Sequence, residues 1–330
     1  MPNELGRKAL VISVRHLLLG LCLIALCGVT TTEARAEDTV RIGLPTKTYW
    51  PTIVAETAVR QKLFDKEGIK AELTIYRSGG EAFEGLAAGA ADMILDPPSL
   101  VATGITKGIK SKIVAGGALA YYGWHLMVPT GSKITDVAQL AGKKVGITAA
   151  GSGSDLLALW TMQDRKISFT RVPLGGGGLV PNLLSGNVDA IVLYSPLTFQ
   201  ELRAKEAVSL IDFGTAVPPH LNSGWIATDK LIHEKPQLVQ KTVNALYGAL
   251  AYLRNNREPA IKLIAEIDEI KPEIAAAEYE GNIVKLSADG EIKLEWVTRS
   301  LELAALGGMT GLAPASETFV TSFKPVPTKP

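Results

Sequence analysis

The sequence predicts an α/β protein made of two related halves, because one motif occurs twice. Gly89-x-x-Asp92 and Gly186-x-x-Asp189 each stand between a helical pattern and a short apolar run that ends at proline. Glycine favours the left-handed backbone just past a helix, and proline ends strand pairing. Both copies lie in the same order of strands and helices. We therefore expect two parallel sheets covered by helices, with a ligand site at the cleft between them.

The first 36 residues are typical of a secretory signal peptide. Residues 7–15 carry positive charge, residues 17–29 are apolar, and Ala34-Arg35-Ala36 fits cleavage before Glu37. The apolar run is shorter than the roughly 18 residues that a membrane span needs. We therefore expect a protein that is exported to the periplasm and released there.

Composition excludes several classes of function. Both cysteines, Cys22 and Cys27, lie in the predicted signal peptide, so the processed chain has no disulfide, thiol nucleophile or thiolate metal site. Each also follows leucine where a lipid-attachment motif needs a small residue. Beyond residue 36 basic and acidic residues are almost equal in number and form no basic block, which disfavours nucleic acid and membrane surfaces as partners.

The elements of the two halves follow the same order. In the first half they are a strand at 40–44, a helix that begins near Trp50, a strand at 71–76, a helix from Glu81 and a strand that ends at Asp96. In the second half they are a strand at 144–148, a helix after the 151–154 turn, a strand at 169–174, a helix at 180–184 and a strand that ends at Tyr194.

The connecting and C-terminal segments complete the expected fold. Residues 114–128 are predicted to cross between lobes as strand structure, and strands at 208–213 and 224–228 are predicted to return to the first lobe. An apolar stripe over 239–253 predicts a buried helix, and further helices are expected at 259–267, 272–286 and 292–306. The proline-rich tail, 325–330, is predicted to be disordered.

The order of these motifs resembles that of the periplasmic solute-binding proteins of ABC importers of the nitrate/sulfonate/taurine class, which also includes binders of thiamine pyrimidine precursors. Besides the opening strand and both Gly-x-x-Asp motifs, the resemblance rests on Asp136-Val-x-x-Leu140-x-Gly142-Lys143-Lys144-Val145 and on the Ser/Gly turn 151–154.

The resemblance implies a two-lobed periplasmic binding protein of type II, a Venus flytrap with two crossovers and a helical C-terminal region. We expect residues 37–125 plus 222–324 to form lobe 1 and residues 126–221 to form lobe 2. One small ligand would bind between the lobes and pass to an ABC permease and its ATPase. No cofactor is expected, and the protein is expected to be a monomer.

The candidate ligand residues lie in the loops that follow strands. Ser152 and Ser154, at a helix start, favour an anion, although ordinary helix capping is the alternative. Asp96 could accept an amino or amidine-like group or cap the next helix. The full candidate set is Tyr49, Trp50, Ser78, Gly79, Asp96, Ser99, Ser152, Gly153, Ser154, Gly176, Tyr194 and Ser195. Weaker candidates, equally consistent with core packing, are Tyr121, Tyr122, Trp124 and Trp225.

The predicted function is therefore capture of a small organic anion or zwitterion, of sulfonate or carboxylate type, for import. A sensory receptor subunit is one alternative. An enzymatic relative that makes a pyrimidine precursor is another, but that family relies on a cysteine-rich motif that this chain lacks. Three histidines remain beyond the signal peptide, His125, His220 and His233, and their spacing suits no metal site. His125 lies in an apolar strand, which favours a hydrogen-bonded structural role.

Overall fold

Two five-stranded sheets form the frame of the part of the chain that the computed structural model describes, residues 38–326. The strands are β1 (Asp38–Leu44), β2 (Ile69–Ile75), β3 (Met93–Asp96), β4 (Ser111–Ala118), β5 (His125–Pro129), β6 (Lys144–Ile147), β7 (Thr170–Pro173), β8 (Ala190–Leu193), β9 (Ala207–Asp212) and β10 (Ser223–Thr228). The predicted signal peptide and residues 327–330 of the predicted tail lie outside the described residues.

The helices that cover these sheets, in chain order, are α1 (Trp50–Arg60), α2 (Leu63–Lys66), α3 (Gly79–Ala87), α4 (Pro98–Thr106), α5 (Gly153–Asp164), α6 (Leu179–Leu184), α7 (Leu197–Ala204), α8 (Phe213–Ala216), α9 (Asp229–Glu234), α10 (Pro236–Asn255), α11 (Arg257–Asp268), α12 (Pro272–Gly281) and α13 (Leu294–Leu306). Among the described residues, no helix combines the length and apolar character that a bilayer crossing requires.

The two sheets have equivalent strand orders, β2-β1-β3-β10-β4 in the first and β7-β6-β8-β5-β9 in the second. In each sheet three strands run parallel, as predicted: β1 with β2 and β3, and β6 with β7 and β8. The fourth strand, β10 or β5, runs antiparallel to both of its neighbours. The sheets expected to be parallel are therefore mixed, because each fourth strand enters after the chain has crossed from the other sheet.

The chain crosses between the sheets twice, after β4 and after β9. The first crossing lies within the predicted segment 114–128. The prediction that residues 208–213 return to the first lobe is wrong, since β9 pairs with β5 in the second sheet. The other strand that was predicted to return, at 224–228, is β10, and it does join the first sheet, between β3 and β4.

The repeated Gly-x-x-Asp motif has the same structural role in both halves. Gly89 and Gly186 adopt φ angles of 74° and 75°, the left-handed backbone expected at a helix end. Asp92 Oδ2 accepts from the backbone N–H of Arg41 in β1 at 3.0 Å. Asp189 Oδ2 accepts from that of Lys144 in β6 at 2.8 Å. Each aspartate thus ties the turn before the third strand to the first strand of its own sheet.

The C-terminal helices confirm the predicted apolar stripe. All its members on α10 are buried: Val239, Val243, Leu246, Leu250 and Leu253. The helix predicted at 272–286 ends earlier, at Gly281, and a short 3-10 turn follows at Ile283–Lys285. Helices α11 and α13 match the predicted segments 259–267 and 292–306 within two residues at each end.

Candidate ligand-binding site

A cavity of about 40 Å³ lies where the carboxyl ends of strands from both sheets meet. β1 and β3 of the first sheet and β6 and β8 of the second end at this point, which is where loops of α/β sheets bind ligands. The segments that cross between the sheets close its sides. The lining residues are Pro45, Thr46, Tyr49, Gly79, Leu95, Asp96, Pro97, Tyr121, Trp124, Thr148, Ser152, Gly153, Tyr194, Asn222 and Ser223.

Three aromatic rings form one wall of the cavity. Tyr49 follows β1, Tyr194 follows β8 and Trp124 precedes β5, so the wall draws on both sheets and on a crossing segment. The ring centroid of Tyr49 lies 5.8 Å from that of Trp124 and 5.1 Å from that of Tyr194. Trp124 and Tyr194 are 5.3 Å apart. Burial raises the pKa of both tyrosines, that of Tyr194 to about 12, so their hydroxyls stay protonated.

Among the described residues that line the cavity, Asp96 is the only one with a carboxyl, amine or guanidinium group. It ends β3, its residue is 4 % exposed, and its Oδ2 is buried with no hydrogen-bond partner. Burial raises its pKa well above the ordinary value, because water is withdrawn from the charged form. The carboxylate packs against Gly79, where a Cβ atom would overlap Oδ1 and come within 3.0 Å of Cγ.

The predicted serine cluster is bonded within itself. Thr148 Oγ1 donates to Ser152 Oγ at 2.8 Å, and Ser152 Oγ donates to the carbonyl of Ala149 at 2.7 Å. Ser154 Oγ accepts from the backbone N–H of Thr148 at 2.8 Å. Ser152 is the N-cap residue of α5, but its side chain makes no capping hydrogen bond. The hydroxyls therefore shape the turn before α5.

Contacts between the two halves close the cleft. The backbone N–H of Gly176, after β7, donates to the carbonyl of Arg77, after β2, at 2.8 Å. Asn282 Nδ2, just past α12, donates to Ser195 Oγ at 3.1 Å and to Glu278 Oε1 at 2.8 Å. These bonds, together with the Tyr49–Tyr194 contact, describe a closed arrangement of the cleft.

The structure brings six of the twelve predicted site residues into the lining: Tyr49, Gly79, Asp96, Ser152, Gly153 and Tyr194. The others lie just behind it. Trp50 is a core residue whose ring packs 6.3 Å from that of Trp225. Ser78 caps α3 by accepting from the N–H of Glu81 at 3.1 Å. Ser99 is fully buried in α4, and its hydroxyl has no partner.

Ser154, Gly176 and Ser195, the last three, are held in the internal contacts described above. Whether any of the twelve touches a ligand stays a prediction. Of the weaker candidates, Tyr121 and Trp124 line the cavity, whereas Tyr122 faces Lys285, whose Nζ lies 5.1 Å from its ring centroid. His125 Nδ1 is 2.7 Å from Ser209 Oγ, which agrees with the expected structural role.

Sequence reasoning missed Asn222 and Ser223 at the opening of β10. Ser223 Oγ donates to Asn222 Oδ1 at 2.6 Å, and Asn222 Nδ2 donates to the carbonyl of Ala120 at 2.5 Å. They sit where the chain has just re-entered the first sheet, beside the other crossing. Two adjacent polar residues ahead of the apolar strand 224–228 were the available signal.

Comparison with known proteins decides the family. A sequence model of the NMT1/THI5-like family matches residues 52–260. The chain belongs to this family. A Brucella abortus (strain 2308) protein, named only as a candidate binding protein, is 25% identical over 256 residues, 74% of this chain and 78% of the relative. A candidate aliphatic sulfonates-binding protein of Bacillus subtilis (strain 168) is 25% identical over 256 residues, 76% of this chain and 77% of the relative.

Solved structures share the fold. The alkanesulfonate-binding protein SsuA from Xanthomonas axonopodis pv. citri, bound to MOPS, has a TM-score of 0.74 at 16% identity, over 85% of this chain and 98% of SsuA. The periplasmic nitrate-binding protein NrtA from Synechocystis PCC 6803 has a TM-score of 0.67 at 13% identity, over 86% of this chain and 87% of NrtA. The two-lobed periplasmic binding protein fold expected from the resemblance is thereby confirmed.

An enzyme has the same fold as well. The desulfurization enzyme DSZB has a TM-score of 0.60 at 16% identity, over 87% of this chain and 97% of the enzyme. This likeness concerns the fold alone and brings no reaction to the chain. Among residues 38–326, no group of three or more His, Cys, Asp or Glu side chains is placed to hold a metal ion.

Proposed function

We propose that the protein is the periplasmic substrate-binding component of an ABC importer. It captures one small organic solute between its two lobes and hands it to a membrane permease and that permease's ATPase. The observation that carries the proposal is the cavity itself, which residues after β1, β3, β6 and β8 line from both sheets. A site shared by two lobes couples ligand binding to their closure.

The lobes are proposed to comprise residues 37–125 plus 222–324 and residues 126–221. The sheet membership of the strands supports this division, since the chain passes from the first sheet to the second after β4 and returns after β9. A hinge motion would then involve the two crossing segments. Tyr121, Trp124 and Asn222 lie in these segments and also line the cavity, so the ligand would touch the hinge directly.

The relatives named for sulfonate binding favour a small organic ligand. We propose a zwitterion over the bare sulfonate or carboxylate anion, because no lysine or arginine lines the described cavity and Asp96 does. We also propose that the protein is a monomer and that it binds its ligand without catalysing a reaction. The family match and the named binding relatives support this choice over catalysis.

A thermal-shift screen of the processed protein, purified from the periplasm, tests the function. The screen covers amines, amino sulfonates, sulfonates, aromatic carboxylates, nitrate and pyrimidines. A ligand at about 100 times its dissociation constant adds about 2.7 kcal/mol to the free energy of unfolding, which raises the melting temperature measurably. We expect a saturable shift with one chemical class. Mass spectrometry of the same sample should find Glu37 as the first residue, and a protein that retains residues 1–36 contradicts the export proposal.

A flat screen over every class, with the protein folded by circular dichroism, contradicts the importer proposal. Such a result would favour a sensory or structural role, in which the cleft contacts another protein.

A further inference from the structure

The N-terminal ends of both cleft helices already hold acidic residues of the protein itself. Asp96 packs against Gly79, the first residue of α3. Asp155 lies in the first turn of α5, where its Oδ2 accepts from the N–H of Gly151 at 2.8 Å. The positive ends of helix dipoles attract anions. Here the protein's own carboxyl groups already occupy both ends, so an anionic ligand group would have to compete with them for the helix N-termini.

Basic side chains beside the cleft are paired with acidic residues of the protein. Arg77 Nε donates to Glu81 Oε1 at 2.8 Å. Lys47 Nζ pairs with Glu269 at 2.8 Å. Arg171 forms an ion pair with Asp155. None of these three basic residues lines the cavity, so the described lining offers an anion no cationic partner.

The same lining suits a positive charge. Asp96 holds a buried oxygen, Oδ2, that accepts no hydrogen bond, and burying such a group without a partner is unfavourable. Tyr49, Trp124 and Tyr194 all line the cavity, and their ring centroids lie 5.1 to 5.8 Å from one another. A cation within about 6 Å of an aromatic centroid is attracted by the ring quadrupole. An N–H-bearing cation satisfies both features, because it donates to the carboxylate and faces the rings.

We propose that the cleft selects its ligand through an N–H-bearing organic cation, an ammonium or amidinium group, that pairs with Asp96 among Tyr49, Trp124 and Tyr194. This inference rests on the proposed function and names its substrate class. An anionic group on the ligand is not required. The closed cavity of about 40 Å³ holds a compact head group of this kind, whereas the body of a larger ligand requires the lobes to separate.

Gly79 makes this arrangement possible. Any side chain at that position would overlap Asp96 Oδ1 and displace the carboxylate from the cavity. The glycine thus acts as a positioning residue for Asp96, and its contribution is the space that a missing Cβ atom leaves.

Matched probe sets test the proposal by calorimetric titration of the full processed protein. Benzylamine, benzyl alcohol and benzoate share one body and differ in the head group, and taurine and isethionate differ by an amino group in place of a hydroxyl. We expect benzylamine to bind and benzyl alcohol and benzoate to fail. Taurine should bind at least tenfold more tightly than isethionate.

The variant Asp96→Asn keeps the size of the side chain and removes its charge. We expect it to lose at least tenfold in affinity for benzylamine. Its melting temperature without ligand should rise, since an unpartnered buried carboxylate is gone. That pairing of weaker binding with higher stability separates loss of the site from damage to the fold.

Asp268→Asn is the matched control. Asp268 is likewise buried, both of its carboxylate oxygens lack hydrogen-bond partners, and it does not line the cavity. Its affinity for benzylamine should equal that of the unmodified protein. Binding of benzoate, isethionate or nitrate without binding of amines overturns the inference and leaves the importer proposal standing. Amine binding that survives Asp96→Asn also overturns it, as does the absence of binding by every amine.

Discussion

Stability should fall as pH rises, and two acids that contribute to this loss, Asp268 and Glu278, are buried without an ion-pair partner among the described residues. Asp268 is 5 % exposed, and both its carboxylate oxygens lack hydrogen bonds. Burial raises its pKa to about 8, with the nearby charge of Glu278 adding to the effect and Lys47 opposing it. Burial likewise raises the pKa of Glu278 to about 7, against the bonds it accepts from Ser195 and Asn282.

The direction follows from proton linkage. Folded protein keeps the proton on Asp268 up to about pH 8, whereas the unfolded chain releases it near the ordinary pKa of 3.8. The free energy of unfolding therefore decreases with rising pH between those two values and levels off above them. Glu278 behaves in the same way between 4.5 and about 7.

The magnitude comes from about 1.36 kcal/mol per pH unit for one proton. Between about pH 5.5 and about pH 8, Asp268 should lower the free energy of unfolding by about 3 kcal/mol, and Glu278 should lower it by about 2 kcal/mol. The variant Asp268→Asn removes the first contribution. Its free energy of unfolding should accordingly change with pH by about 3 kcal/mol less than that of the unmodified protein.

Urea unfolding at both pH values, followed by circular dichroism, measures this difference. Asp65→Asn, the same chemical change at an exposed position of α2, is the control and should keep the full pH dependence. If Asp268→Asn and Asp65→Asn lose equal stability between the two pH values, Asp268 is not the buried proton site and the reasoning is refuted.

Two further substitutions test the geometry around the cleft. Gly79→Ala should lower the affinity for benzylamine at least tenfold in a calorimetric titration, because the new Cβ displaces Asp96. The control Gly177→Ala, where a Cβ meets open space, should leave that affinity unchanged. Equal losses of affinity in both variants would contradict the positioning role of Gly79. Asp155→Asn retains an acceptor for Gly151 but loses the ion pair with Arg171, so urea unfolding should show a loss of about 1.5–3 kcal/mol; an unchanged midpoint would argue against that pair.

The local features of the fold could be predicted from the sequence because their causes are local. Gly89 and Gly186 end helices through a backbone that glycine adopts without strain, so the two halves were recognisable from the chain alone. The buried stripe of α10 followed from helical spacing in the same way. The return of β10 to the first sheet was predicted correctly, but β9 was assigned to the wrong sheet, since strand order depends on pairing between segments far apart in sequence.

The site was predictable as a location but only partly as a set of contacts. Strand-end loops indicated Tyr49, Asp96 and Tyr194, and all three line the cavity. Trp50 adjoins Tyr49 in sequence, yet it points into the core because it begins a helix whose face packs on the first sheet. The serines of the 151–154 turn suggested an anion site, and only the tertiary structure reveals that their hydroxyls bond one another.

The most direct test of solute capture is the distance between the lobes with and without ligand. No cysteine occurs beyond residue 36, so Glu84→Cys on α3 and Ser185→Cys after α6, both exposed positions, give a doubly spin-labelled protein free of other labels. Electron–electron resonance should find a longer distance without ligand and a shorter one when the amine that the screen identifies is present at saturation. A bound ligand that leaves the distance distribution unchanged would contradict capture by closure of the cleft.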